Sequence, residues 1–245
     1  MTLLNKEHSK VPEVTFSVQR NNQWQKITSH DIFAGKKVIL FALPGAYTPT
    51  CSSTHLPRYN ELASTFKANG IDGIYCLSVN DTFVMNEWAK DQHNSDVKML
   101  PDGNGEFSDK MGLLVDKTAI GFGKRSWRYS MYVDDGVIKK MFIEPEKAGD
   151  PFEVSDADTM LQHLFPKAKS PARVSLITKK GCPHCYRAKD LLTSKGLAYE
   201  EIELNGSITA RSLAAISGRS TTPQIFIDGK HIGGADDLEV YFKNS

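Results

Sequence analysis

The sequence predicts an α/β fold built twice, in two domains. Three observations predict it. Apolar runs of strand length alternate with segments whose apolar residues recur at helical spacing. A short stretch, 166–171, interrupts the alternation with two prolines, two lysines and no large apolar residue. After it the strand–helix rhythm restarts, in a unit of about 75 residues that is large enough to fold alone. The expected division is 1–165, a linker at 166–171, and 172–245.

In the first part, Val14 to Val18 alternates apolar and polar residues. Asn21-Asn22 offers a turn, and Trp24 to Ile27 can pair back. Val38 to Leu43 is continuously apolar, as a strand buried on both faces must be. Leu56, Tyr59, Leu62, Ala63 and Phe66 then recur at helical spacing until Asn69-Gly70 stops them. Ile74 to Val79 is a second apolar strand, and Thr82 to His93 a helix with Asp81 as its N-cap. Met131 to Val133, the turn Asp134-Asp135-Gly136 and Val137-Ile138 form a hairpin. Ser155 to Phe165 is a closing helix. Past the linker come a strand at Val174 to Ile177, a helix from Cys182 to Lys195 stopped by Gly196, and a strand at Ala198 to Leu204. A short helix at Ile208 to Ile216 precedes the hairpin Gln224 to Ile227, Asp228-Gly229, Lys230 to Ile232. A last helix follows Gly233-Gly234.

Composition narrows the function classes. The chain is 40% hydrophobic and 24% charged, with a formal net charge of +1. That balance points to neither nucleic acid nor a membrane surface as a partner. No stretch approaches the ~20 apolar residues of a bilayer span, and the first residues hold no apolar core of signal-peptide length. A cytoplasmic protein is expected. Its four cysteines, Cys51, Cys76, Cys182 and Cys185, are too few for a disulfide framework.

Cys182 and Cys185 form a C-x-x-C between a strand and a helix. There Cys182 stands at the helix N-terminus, where unpaired N–H groups and the helix dipole favour a thiolate, and Lys179 and Lys180 add positive charge. Cys185, one turn on, is the resolving thiol. A zinc site needs four ligands, and this unit supplies two cysteines and scattered histidines, so no metal is expected.

Three separated motifs, Lys-x-x-Cys-Pro-x-Cys at 179–185, Thr-Thr-Pro at 221–223 and Gly-Gly-x-Asp-Asp at 233–237, agree in order and spacing with a dithiol glutaredoxin, which residues 171–245 resemble throughout. The resemblance implies a cis Pro223 opposite Cys182 and glutathione as a reducing co-substrate. Thr222 would pair through its backbone with the cysteinyl part, and Lys179 would meet the glycyl carboxylate. His184 and Gly234 would border the site, and the helix start at Asp236-Asp237 would hold the γ-glutamyl end. His184 stands where many members have tyrosine, and Thr222 where many have valine.

In the first domain Pro44, Thr48 and Cys51 form P-x-x-x-T-x-x-C between strand and helix. This resembles the active-site motif of peroxiredoxins. LSVNDTFVMNEWAK, PDGNGEFSDKMGLLVDK and RSWRYSMYVDDG are similar to the type-five subgroup. The resemblance implies two thioredoxin-fold domains, each with a central mixed sheet flanked by helices. It makes Arg128 the active-site arginine, ahead of Arg125. The chemistry agrees. A thiol attacks peroxide only as thiolate, and a helix first turn plus a guanidinium favour that form. Thr48 and Arg128 can bond the peroxide oxygens and stabilise charge on the leaving oxygen, while Pro44 shields the sulfur from water.

Cys76, inside the apolar strand GIYCLSV, is expected to be buried and inert, and His55 to serve packing or face solvent rather than assist Cys51. Lys139-Lys140 is expected on a solvated face, and Gly121-Phe122-Gly123 lacks the strand–loop–helix setting of a nucleotide loop. Phe122 is a candidate for the wall of the peroxide pocket or for an interface.

Oxidation of Cys51 by a hydroperoxide leaves a sulfenic acid that a second thiol must meet. With Cys76 buried, that thiol must come from outside the first domain. The expected activity is therefore a glutathione-dependent peroxidase with no tightly bound cofactor, its Cys51 recycled by glutathione and the Cys182/Cys185 unit. Glutaredoxin potentials of about −200 to −230 mV suit the glutathione pool. Two other readings stand beside it: a peroxide sensor relaying oxidation to a client, and a glutaredoxin-type iron–sulfur carrier. The ~6-residue linker spans at most ~20 Å. Since peroxiredoxins of this kind commonly form dimers, the resemblance implies a homo-oligomer, with Cys182 able to serve the Cys51 of a neighbouring subunit.

Overall fold

Nothing in the run Val38–Leu43 meets solvent. Alternate side chains of a strand leave opposite faces. Val38, Leu40 and Ala42 enter one apolar cluster, with Phe33, Tyr129 and Met131. Ile39, Phe41 and Leu43 enter a second, with Cys51, Tyr59 and Trp88. A strand covered on both sides has no place for a polar residue.

The structure, a computed structural model, describes residues 3–20, 22–147 and 149–244. Two compact units, Met1–Ser170 and Pro171–Ser245, make up the chain. The first opens with an antiparallel hairpin, β1 (Thr15–Arg20) and β2 (Gln23–Thr28). Of its expected turn, Asn22 has a positive φ and Asn21 lies outside the described residues. There follow α1 (Ser29–Phe33), β3 (Lys37–Ala42), α2 (Leu56–Glu61), α3 (Ala63–Ala68), β4 (Gly73–Ser78) and α4 (Thr82–Asp91). Asp81 caps α4, its side chain accepting from Phe83 and Val84 N–H. β5 (Lys98–Pro101), α5 (Glu106–Lys110), β6 (Leu114–Asp116) and β7 (Lys124–Ser126) come next, none of which the periodicity announces. β8 (Tyr129–Asp134) and β9 (Val137–Ile143) form the expected hairpin, and α6 (Ala157–Leu164) closes the unit. Asp135 and Gly136 both take positive φ in its turn, as a tight hairpin with the right twist requires.

Among the described residues the main sheet has the order β5-β4-β3-β8-β9. β3, β4 and β5 run parallel, and β8 is antiparallel to β3 and to β9. The sheet is therefore mixed.

The second unit holds β10 (Val174–Thr178), α7 (Pro183–Ser194), β11 (Glu200–Glu203), α8 (Ala210–Ser217), β12 (Gln224–Ile227), β13 (Lys230–Gly233) and α9 (Ala235–Lys243). Its strand order is β11-β10-β12-β13, with only β10 and β11 parallel. That repeats β4-β3-β8-β9 of the first unit, strand for strand. Each unit thus carries a cysteine, Cys51 or Cys182, in the connection that follows the equivalent strand, β3 or β10. Each unit also faces that strand with an antiparallel neighbour, β8 or β12. The residue just before that neighbour is Arg128 in one unit and Pro223 in the other. No helix among the described residues is long and apolar enough to cross a membrane.

Candidate active sites

Cys51 does not open an α-helix. Residues Cys51–His55 form a π-helical turn, in which the Leu56 N–H reaches the Cys51 carbonyl. Pro57, at the start of α2, has no N–H with which to continue an ordinary ladder. Wide turns of this kind recur at functional positions. The turn is fixed from two sides: Ser52 N–H donates to Thr48 O, and Trp88 Nε1 donates to Ser52 Oγ. Cys51 is fully buried.

Arg128 stands over the sulfur. Its Nη1 lies 3.5 Å from Cys51 Sγ and 3.1 Å from His55 Nδ1. Its Nη2 donates to both Asp150 oxygens, at 2.6 and 2.5 Å. Burial opposes the Arg128 charge, but the Cys51 sulfur and the Asp150 carboxylate outweigh it, and its pKa is raised. Thr48 Oγ1 donates to Gly45 O at 2.9 Å. Pro44 and Thr48 line a pocket of about 450 Å³ with Ile120, Phe122 and Asp150. Asp150 therefore touches both the pocket and the guanidinium. Arg125 is turned elsewhere, its guanidinium bonding Val79 O. Cys76 sits in the sheet core, and burial first, then the neighbouring Cys51, pushes its thiol well above the ordinary range.

In the second unit Cys182 is the N-cap of α7, one position before the helix proper. Cys185 N–H points at its sulfur from 3.3 Å, and Thr222 O and Oγ1 lie 3.5 and 3.6 Å from it. Burial opposes its thiolate, yet hydrogen bonds from Cys185, Thr222 and the His184 backbone prevail and lower its pKa. Cys185 goes the other way, raised by burial and by the adjacent Cys182. The Thr222–Pro223 bond is cis. Lys179 and His184 are exposed. Asp237 accepts from Gly234 N–H at 2.7 Å and from Arg219 at 2.6 Å, while Asp236 pairs with Arg187. The two acids at the start of α9 thus already have cationic partners.

Residues 6–161 match the Redoxin family, and residues 174–232 match Glutaredoxin. The Hybrid peroxiredoxin hyPrx5 of Haemophilus influenzae is 58% identical over 236 residues, covering 96% of this chain and 98% of that one. The chain is a hybrid peroxiredoxin of the redoxin family. It thereby belongs to a family of peroxide-reducing oxidoreductases. The peroxiredoxin sll1621 of Synechocystis is 56% identical over 63% of this chain and 89% of its own. Among solved structures, reduced Prx3 of Vibrio vulnificus in complex with H2O2 superposes with a TM-score of 0.62. It is 42% identical and covers 66% of this chain and 99% of that one.

Two residues of the peroxiredoxin unit's site escape a reading of its sequence, and a third is misplaced by it. His55 neither faces solvent nor merely packs. It is fully buried between Phe41 and Phe152 and bonded to Arg128. Since a guanidinium only donates, Nδ1 must accept, and Nε2–H must donate to Ser155 O at 3.2 Å. Burial, and then the Arg128 charge, hold the imidazole well below its ordinary pKa, so it is neutral. Asp150 and Glu144 lie in a segment so rich in acids and prolines that it resembles any exposed loop.

The neutral His55 has a consequence for stability. Its pKa is lower in the fold than in the unfolded chain, where it is near 6.5. Below that pH the unfolded state takes up a proton that the fold refuses. The contribution of His55 is therefore complete above about pH 6.5 and is lost below it by up to ~1.4 kcal/mol per pH unit. Urea unfolding at pH 5, 6 and 7 should show this slope, and His55→Phe should remove it. An unchanged slope in that variant would mean that His55 is not the group responsible.

Proposed function

We propose that this hybrid peroxiredoxin is a glutathione-dependent peroxidase whose catalytic thiol is Cys51. The observation that carries the reading is the Arg128 Nη1 at 3.5 Å from a buried Cys51 sulfur, beside a pocket bordered by Pro44 and Thr48. The Cys51 thiolate attacks one oxygen of ROOH, the O–O bond breaks, and RO⁻ leaves to be protonated as ROH. Arg128 and Thr48 stabilise the charge that develops on that oxygen. The product is Cys51–SOH.

Glutathione then condenses with the sulfenic acid, releasing water and leaving a Cys51–glutathione disulfide. Cys76, pushed up by burial in the sheet core, is a poor alternative partner. The Cys182 thiolate attacks the glutathione sulfur and releases Cys51. A second glutathione, or Cys185, frees Cys182. The opposite pKa directions of the two thiols support this division, the lowered one attacking and the raised one resolving. The sum is ROOH + 2 GSH → ROH + H2O + GSSG. On this reading Thr222, Pro223 and Gly234 border the glutathione site and Lys179 meets its carboxylate. The γ-glutamyl ammonium must then compete with Arg187 and Arg219 for Asp236 and Asp237.

Peroxide consumption coupled to glutathione reductase and NADPH tests the reading. Cys51→Ser is expected to lose it entirely. Retained turnover in that variant sinks the proposal.

A further inference from the structure

Glu144 is fully buried. Its carboxyl group accepts from Glu153 N at 2.7 Å, Val154 N at 3.0 Å, Ser155 N at 2.8 Å and Ser155 Oγ at 2.7 Å. Four donors from three successive residues on one buried acid is far more than capping a loop requires. The same residue also holds the strand that delivers the arginine. Its N–H donates to Arg128 O at 3.1 Å, and its carbonyl accepts Trp127 Nε1 at 2.8 Å.

These bonds close a circuit. From Glu144 the side chain fixes the turn at 153–155, whose Ser155 carbonyl accepts both His55 Nε2–H and the Tyr59 hydroxyl, at 3.2 and 3.1 Å. That acceptor fixes the histidine tautomer, which leaves Nδ1 bare toward Arg128 Nη1. The guanidinium, so held, has its other Nη1 hydrogen for Cys51. Through the main chain, Glu144 reaches Arg128 directly. Phe152, in the loop the acid ties down, lies near both, 5.5 Å from the guanidinium and 4.9 Å from the imidazole, to which it is tilted.

We propose that Glu144 is a positioning residue for peroxide reduction: through Ser155 and the Nε2–H tautomer of His55 it sets the direction in which Arg128 presents Nη1 to Cys51. The inference rests on Cys51 being the reacting thiol. Small displacements of a group aimed at a reacting atom cost rate steeply. Loss of the anchor should therefore slow Cys51 oxidation without touching any reacting atom.

The test measures two things on the full chain: the rate of Cys51 oxidation by H2O2 in stopped flow, and the tautomer of His55 by 15N NMR of the histidine rings. Glu144→Ala is expected to slow oxidation about tenfold, roughly the loss of one oriented contact. It should also convert the single Nε2–H signature of His55 into a mixture. Glu144→Gln, which keeps an acceptor for the Val154 and Ser155 donors, should recover most of the rate and the signature. A folded Glu144→Ala with unchanged rate and tautomer overturns the proposal, and so does a slowed variant whose tautomer is intact. If Glu144→Ala does not fold, Glu144→Asp, whose shorter side chain draws the acceptors back from the 153–155 turn, takes its place and is paired with His55→Phe. The double variant should be no slower than His55→Phe alone, whereas additive losses overturn the circuit. A Cys51→Ser chain that still consumed peroxide would instead remove the underlying reading, and so the two failures are distinct.

Discussion

Replacing Arg128 with glutamine is expected to slow the oxidation of Cys51 by peroxide by about 10²–10³-fold, the range seen when a charge-stabilising donor is removed from a reacting oxygen. The guanidinium makes four contacts that no amide can reproduce together: the Cys51 sulfur, His55 Nδ1 and both oxygens of Asp150. It does so at 1% exposure, where a charge is weakly screened and each contact counts for more than in water. Arg128→Lys keeps the charge but not the planar fork, and should restore only a small part of the rate. The folded state should suffer less than the chemistry. Asp150 is 38% exposed, so water can replace the partner it loses. Stopped-flow oxidation and a urea melt on the same samples separate the two effects. A rate within about threefold of the parent, in a folded Arg128→Gln chain, would remove Arg128 from the chemistry.

Cys182→Ser is the second large effect. Glutathione-driven turnover should fall by about 10²-fold, the advantage that a tethered thiol site can hold over a free one. The first equivalent of peroxide should still be consumed, because Cys51 and its surroundings are intact. Mass spectrometry should then find Cys51 carrying one glutathione, waiting for a thiol that no longer comes. Cys185→Ser should be milder. Its thiol is the raised one, and glutathione can take its place in freeing Cys182. Turnover at the parent rate in Cys182→Ser would show that the second unit is not the recycling device.

Much of this molecule can be read before any coordinates. Val38 to Leu43 announces a doubly buried strand because every position is apolar, and Cys51, Thr48 and Pro44 are close enough in sequence to form one motif. Cys182 announces itself by its spacing from Cys185. What stays hidden has physical reasons. β6 and β7 are three residues each and β5 four, too short for any alternation to register. Glu144 and Asp150 share their stretch with Glu146 and Glu153, and nothing in the chain says which acid is buried. His55 is one turn from Cys51, but its meaning depends on partners 73 and 100 residues away. A buried polar circuit is a property of closure, and closure has no local signature.

The repeated order β4-β3-β8-β9 and β11-β10-β12-β13 gives the molecule one address used twice. At that address a sulfur lies beyond the end of a central strand, and one residue stands immediately before the antiparallel neighbour. In one copy the tenant is an arginine, whose Nη1 stands 3.5 Å from the sulfur. In the other it is a proline, which brings no N–H, and the threonine in cis linkage before it sets its carbonyl and hydroxyl 3.5 and 3.6 Å from the sulfur. On the function proposed above, the division between oxygen chemistry and sulfur exchange follows the occupant of that slot.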